Sequence, residues 1–321
     1  MLEGVWAHLV YLKDIQVKID SEFSIIKKYL TGIGISYLKQ NGIKLSVGDD
    51  CAVIAAKSKL LISTDTSVEG VHFLKSMQPD VIAYRAVAIA LSDIAAMGGI
   101  PIAYNLSLTI PRANSTWMSV FKKGLQKISK EYQIVLTGGD LCKGSLQISV
   151  TVLGKPGKKI LLRSGAKKGD ILCVSDELGK AYIGFKQFKT SKIINQKTRP
   201  YLFPKAQINY GKVISSYATS AIDISDGLIQ DLSHLIDRSQ IGCTIDLLKV
   251  PVISSKFFKQ CLEFGDDYQL LYTVPPKRLA VLKRSLKSIN KKCHTIGVMN
   301  GKKLEILNNS FQSLKGWNHF S

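Results

Sequence analysis

Apolar residues in the chain recur in two periods, and the places where the period changes carry most of its carboxylates. Before about residue 19 no helical or strand period is visible, despite Trp6 and Tyr11. From Ser21, the positions Phe23, Ile26 and Leu30 predict a short helix, with Ser21 and Ser24 available as caps. Leu45 to Ala55 is strand-like but interrupted by a Gly48-Asp49-Asp50 turn, and Lys59 to Ser63 is a second apolar run delivering Thr64 and Asp65 at its end. Pro79 to Met97 predicts a buried helix, with Ile82, Ala86, Ile89, Asp93 and Ala96 at helical spacing and Gly98, Gly99 and Pro101 as the stop.

Further on, the pattern predicts a strand at Asn105–Ile110, an amphipathic helix at Trp117–Lys130, and a strand from Gln133 to Leu136 that ends in Thr137-Gly138-Gly139-Asp140. A strand at Gln147–Leu153 follows, and Gly154, Pro156 and Gly157 mark a domain boundary. The expected division is an N-terminal extension over 1–19, one domain over 20–154 and another over 155–321. In the second half a strand is expected at Ile171–Val174, a helix from Ala181 through a lysine-rich solvated face, and a helix from Leu228 to about Ser239. Asp266 and Asp267 stand just ahead of a last clear strand.

Composition narrows this picture only slightly. With 321 residues and 45% hydrophobic content, the chain can bury two cores of ordinary size. The 44 Lys and Arg against 24 Asp and Glu leave a formal charge of +20, which attracts polyanions in general. The lysines are scattered, as in Lys27-Lys28 or Lys158-Lys159, and no aromatic-interleaved basic stripe is present, so a small anionic substrate is favoured over nucleic acid. Cys51, Cys142, Cys173, Cys243, Cys261 and Cys293 form no C-x-x-C pair, which leaves neither a zinc site nor a disulfide framework indicated. The longest apolar stretch, Val81 to Ile100, is broken by Arg85 and Asp93, and no signal peptide is recognisable, so a cytoplasmic protein without a membrane partner is expected.

Candidate chemistry lies in the carboxylates. Asp49, Asp50, Asp65, Asp93, Asp140, Asp223 and Asp226 stand at the edges of apolar runs or inside them, and acids brought together need a cation. Ser63, Thr64 and Asp65 offer hard oxygen ligands suited to magnesium. Asp93 is anomalous in an apolar helix, where an unpaired carboxylate would cost several kcal/mol; metal binding and a capping or ion-pair role explain it equally well. Gly138 and Gly139 permit close approach of backbone to a phosphate, and Arg163 could clamp one. Ser225 and Asp226 are either simple N-caps of the following helix or holders of phosphate and metal at its terminus. His72 and Trp317 would, alone, be read as structural.

The ordered set VGDDCAVI, STDTSVEGVHF, LSDIAAMGGIP, LTGGD, LRSGAKKGD, AIDISDGL and GDDYQLLYTVP resembles the thiamine-monophosphate kinase family from about residue 21 to the C-terminus. That resemblance implies an α/β (α+β), two-domain aminoimidazole ribonucleotide synthetase-like fold. Its N-terminal mixed sheet with helices would pair across a homodimer, and its C-terminal domain would be α/β. It implies ATP and thiamine monophosphate as partners, with several Mg2+ ions. Carried over by position, Asp50, Ser63, Thr64, Asp65, Asp93, Asp140, Asp223 and Asp226 would hold metal, and Asp50, Asp65, Asp93, Asp140 and Asp223 would serve catalysis. Gly139, Asp140, Arg163 and Ser225 would contact the nucleotide, and His72, Asp266 and Trp317 the thiamine monophosphate. The family usually has Gly-Gly-Glu-Asp where this chain has Phe264-Gly265-Asp266-Asp267, so the carboxylate at 266 is one methylene shorter. Related selenophosphate synthetases and hydrogenase-maturation proteins would need a reactive Cys or selenocysteine with a Lys, or a C-terminal Cys, and neither is visible in a chain ending Asn318-His319-Phe320-Ser321. A basic nucleotide- or nucleic-acid-binding module without turnover is the alternative from another class.

Overall fold

The computed structural model describes residues 25–46, 53–55, 59–112 and 114–317. The chain forms two mixed sheets joined by one buried helix. β1 (Ile43–Leu45) and β2 (Val53–Ile54) make a small antiparallel pair. β3 (Leu61–Val68), β4 (Ile100–Ile110), β5 (Val135–Lys143) and β6 (Gln147–Lys155) form a sheet in the order β3-β6-β4-β5, in which only β4 and β5 run parallel. β7 (Ile171–Val174), β8 (Ser220–Ile224), β9 (Cys243–Asp246), β10 (Gln269–Val274), β11 (His294–Met299) and β12 (Leu304–Leu307) form the second, ordered β12-β9-β11-β7-β10-β8.

Period-two alternation decides what each face of the first sheet does. Leu61, Leu106, Leu108, Ile148, Val150 and Val152 point into a core shared with the helices Pro79–Ala96 and Ser115–Tyr132. The opposite face is polar: Thr64 pairs with Thr151 and Thr66 with Ser149, each hydroxyl pair at 2.8 Å. Asn105 and Ser107 of β4 continue that face.

The Pro79–Ala96 helix is apolar on all sides because it is covered on all sides. Val81, Val87, Leu91 and Ile94 enter the first core, while Ala95 and Ala96 pack with Cys173, Ala221, Leu270 and Tyr272 of the second sheet. On the other side of that sheet, Leu228, Leu232 and Leu235 of the Leu228–Ser239 helix meet Val174, Ile222, Ile224 and Leu271. No helix among the described residues is long and apolar enough to cross a membrane.

Several expectations change at the element ends. Ile26–Leu30 is a π-helical turn rather than an α-helix, and Ser21 and Ser24 lie outside the described residues. Thr64 and Asp65 sit within β3 rather than at its end, because antiparallel pairing to β6 continues through Val68. β5 runs through Gly138, Gly139 and Asp140 to Lys143, held by parallel pairing with β4. Gly139, at φ 153°, meets the Leu106 carbonyl: a Cβ there would lie 1.8 Å from that oxygen. Close strand packing therefore already requires the glycine.

Candidate active site

Asp65 shares the inward face of β3 with Ser63, under the Pro79–Ala96 helix. Ser63 Oγ donates to Asp93 Oδ2, which gives the half-buried carboxylate of that helix a partner. Asp223 is the penultimate residue of β8, and the turn after the strand carries Ser225 and Asp226. These elements border one cavity of about 770 Å³. Thr64, Asp65, His72, Asp93, Asp223, Ser225, Asp226, Asp266 and Trp317 all line it. A second concavity, of about 850 Å³ and lined by Lys159, Lys167, Lys168, Lys277 and Arg278, contains none of the candidate residues.

Burial first, and mutual repulsion second, sets the acidity of these carboxyls. Burial, followed by Asp93 and then Asp226, pushes the Asp65 carboxyl up to about 7. Asp93 is also raised by burial, against the Ser63 hydrogen bond and the positive field of Arg163. Asp223 is raised well above the ordinary range by burial, then by Asp93, with Asp231 and Asp65 adding to it. Ser92, whose hydroxyl makes no regular hydrogen bond, lies close enough to Asp223 to offset part of that rise.

The other candidates divide. Thr64 lines the cavity but has its hydroxyl on the opposite face of β3, against Thr151. Asp140 lies on the same outer face, paired in register with Ser107 and accepting from the Cys142 thiol at 3.1 Å. Gly139 and Asp140 do not line the cavity. Arg163 does not line it either, yet it acts electrostatically on Asp93. Asp49 and Asp50 lie outside the described residues. Among the described residues, no three His, Cys, Asp or Glu side chains close into a ready metal cage, so the expected cluster of ligands is an open arrangement here.

The turn after β8 does not cap the helix through Ser225 or Asp226. The helix N-cap is Gly227, which makes no side-chain cap. Instead the buried Asp231 turns back, and its Oδ2 accepts from the amides of Ser225 and Asp226, both at 3.1 Å. Those two amides are thus already used, and Asp231 sets the course of the acidic turn. A carboxylate in the first helical turn after an Asp-rich loop was the available signal.

Also on the cavity wall, His72 Nδ1 accepts from the Val68 amide at 3.0 Å. Arg85, missed as a site residue although it interrupts the longest apolar stretch, places Nη2 2.5 Å from each oxygen of Asp266. Trp317 arrives on the C-terminal tail: its amide donates to Asp226 O at 2.9 Å, and its carbonyl accepts from Gln230 Nε2 at 2.7 Å. The cavity wall therefore combines clustered carboxylates with aromatic and charged groups.

The chain is similar to known proteins over most of its length. Residues 48–155 match the family model "AIR synthase related protein, N-terminal domain". The thiamine-monophosphate kinase of Haemophilus influenzae is 37% identical over 300 residues, 88% of this chain and 90% of that protein. The solved thiamine-monophosphate kinase from Stenotrophomonas maltophilia K279a superposes with a TM-score of 0.80 at 28% identity, covering 91% of this chain and 98% of that one. AaThiL, solved in complex with AMPPCP and TMP, superposes at 0.73 with 30% identity, covering 93% and 97%. The fold is that of an AIR synthase-like α/β protein. Within that class, the chain belongs to the thiamine-monophosphate kinase family.

Proposed function

We propose that this chain transfers the γ-phosphoryl group of ATP to thiamine monophosphate, giving thiamine diphosphate and ADP. The observation that carries the reading is one cavity whose wall holds Asp65, Asp93, Asp223 and Asp226 together with His72, Asp266 and Trp317. A family member solved with both AMPPCP and TMP supports it.

The substrate's own phosphate oxygen is the nucleophile. A phosphomonoester's second pKa is about 6, so that oxygen is already largely ionised and needs no strong base. The new bond joins it to the γ-phosphorus, and the β–γ bridging bond breaks toward ADP. Positioning and charge neutralisation are the protein's tasks.

The carboxylates fit magnesium: all are hard oxygen donors, and their mutual repulsion is what a divalent ion relieves. Asp65, Asp93, Asp223 and Asp226 would hold it, with Ser63 orienting Asp93 and the Thr64 main chain and Asp50 completing the set. When bound, magnesium supplies charge neutralisation for the approaching anions. Gly139, Asp140, Arg163 and Ser225 are proposed nucleotide contacts; for Arg163 the field it exerts on Asp93 is the support. Direct transfer without a phosphoenzyme is expected.

The same reading includes two domains, 20–154 and 155–321, and a homodimer paired through the exposed hydroxyl-rich face of the first sheet. Asp140 on that face would approach the nucleotide only in such an assembly. A cytoplasmic setting is included as well, supported by the free thiols of Cys173, Cys243, Cys261 and Cys293.

The test is an assay with ATP, magnesium and thiamine monophosphate, following thiamine diphosphate by chromatography with Asp65→Asn as control. Product from the wild type and almost none from the variant is expected. ATP left untouched with this acceptor but consumed with another phosphate would remove the substrate assignment.

A further inference from the structure

Arg85 is 4% exposed in the middle of an otherwise apolar helix, an expensive place for a guanidinium. It shares the cavity wall with Ile89 and Asp93, one and two helical repeats further along the same face. Eight residues at about 1.5 Å each set Arg85 about 12 Å along the helix from Asp93. The helix thus carries a cation and a candidate metal-binding carboxylate on the same cavity wall.

What Arg85 touches is specific. Nη2 lies 2.5 Å from both Asp266 oxygens and 3.5 Å from the His72 carbonyl. Nη1 donates to the Tyr201 carbonyl, and the guanidinium centre stands 4.6 Å over the Tyr201 ring. Asp266 has a left-handed backbone at φ 61°, between Gly265 at 68° and Asp267, with Tyr268 at 50° beyond. A non-glycine residue held there needs outside constraint. Its amide supplies one, donating to Ser225 O at 2.8 Å; Arg85 supplies the other. An ion pair serving stability alone could be exchanged for packed apolar side chains. This pair borders the cavity and leaves the Asp266 side chain 15% exposed, with acceptor lone pairs still open to a ligand.

We propose that Arg85 is a positioning residue for substrate recognition. It gathers the His72 main chain, Tyr201 and Asp266 into one wall that receives the amine-bearing, cationic organic end of thiamine monophosphate. The phosphate end then falls at the carboxylates two helical turns away. This role rests on the function proposed above.

The test is steady-state kinetics of the full chain and its Arg85→Met, Arg85→Lys, Asp266→Asn and Arg85→Met/Asp266→Asn forms, varying each substrate separately, with thermal melting of each. Arg85→Met is expected to raise KM for thiamine monophosphate about tenfold or more and to change KM for ATP less than about twofold. Arg85→Lys should recover part of that loss. The double variant should regain melting temperature, because the stranded carboxylate is gone, without regaining substrate affinity. An unchanged KM for thiamine monophosphate in Arg85→Met would overturn the role. So would recovery of both stability and affinity in the double variant, which marks a merely structural pair. Should the wild type fail to turn over, the proposed function falls. Calorimetric binding of thiamine monophosphate to the same forms would still decide the role of Arg85, through an affinity loss or its absence.

Discussion

Asp65 has the clearest conflict between stability and use. It faces inward from β3, near Asp93 and Asp226, and its carboxyl is pushed up to about 7. Asp65→Asn removes that charge and keeps the shape. The variant is expected to lose about a hundredfold or more in kcat and, without metal above neutral pH, to melt at least about 2 °C higher than the wild type. A variant that is both inactive and less stable would mean that Asp65 supports the fold rather than the reaction. At this scale the sequence was informative about residue type and poor about direction. Asp65, Asp93, Asp223 and Asp226 stood out as acids in apolar surroundings, and they meet. Thr64 could not be distinguished from Ser63, because a one-residue step in a strand reverses the face and only the register with β6 settles which side is inward. Arg85 and Asp231 were hidden because their partners lie across the fold or inside a turn.

Elements, not single residues, bring the cavity wall together. The Pro79–Ala96 helix was legible almost to its last residue, from its proline start and its Gly98-Gly99 stop. Periodicity alone did not reveal that its all-round apolar character reflects two cores, one on each side. The C-terminal tail was less legible still, since its order comes from backbone contacts that no side-chain pattern encodes. Trp317 bonds the main chain of the Asp226 turn and Gln230, and a Cβ on Gly316 would lie 2.5 Å from Gln230 Cβ. Gly316→Ala should therefore displace Trp317 and raise KM for thiamine monophosphate about fivefold or more, with little change in KM for ATP. Equal effects on both substrates would locate the damage in the Asp226 turn. Asp231→Asn tests that turn directly: with one amide acceptor weakened, kcat should fall about tenfold while KM for thiamine monophosphate holds.

For the whole molecule, the acidic cluster should make stability depend on pH in a direction opposite to that of ordinary ion-paired carboxylates. Asp65 and Asp231, both at about 7, and the raised Asp93 and Asp223 hold protons in the folded state that the unfolded chain has released. From about pH 4 to 7 the folded form binds the extra protons, so the cluster's contribution is greatest at the acid end and is lost as pH rises through the folded pKa values. The bound magnesium proposed above requires the ionised carboxylates and has to displace those protons, so its stabilisation should run the other way. Melting curves recorded from about pH 5 to about pH 8, with and without magnesium, should show a metal-dependent gain that grows with pH. In Asp65→Asn that gain should shrink, together with the metal-free decline. A gain independent of pH, or one undiminished in Asp65→Asn, would place magnesium elsewhere on the molecule and leave the carboxylates of the cavity without their cation.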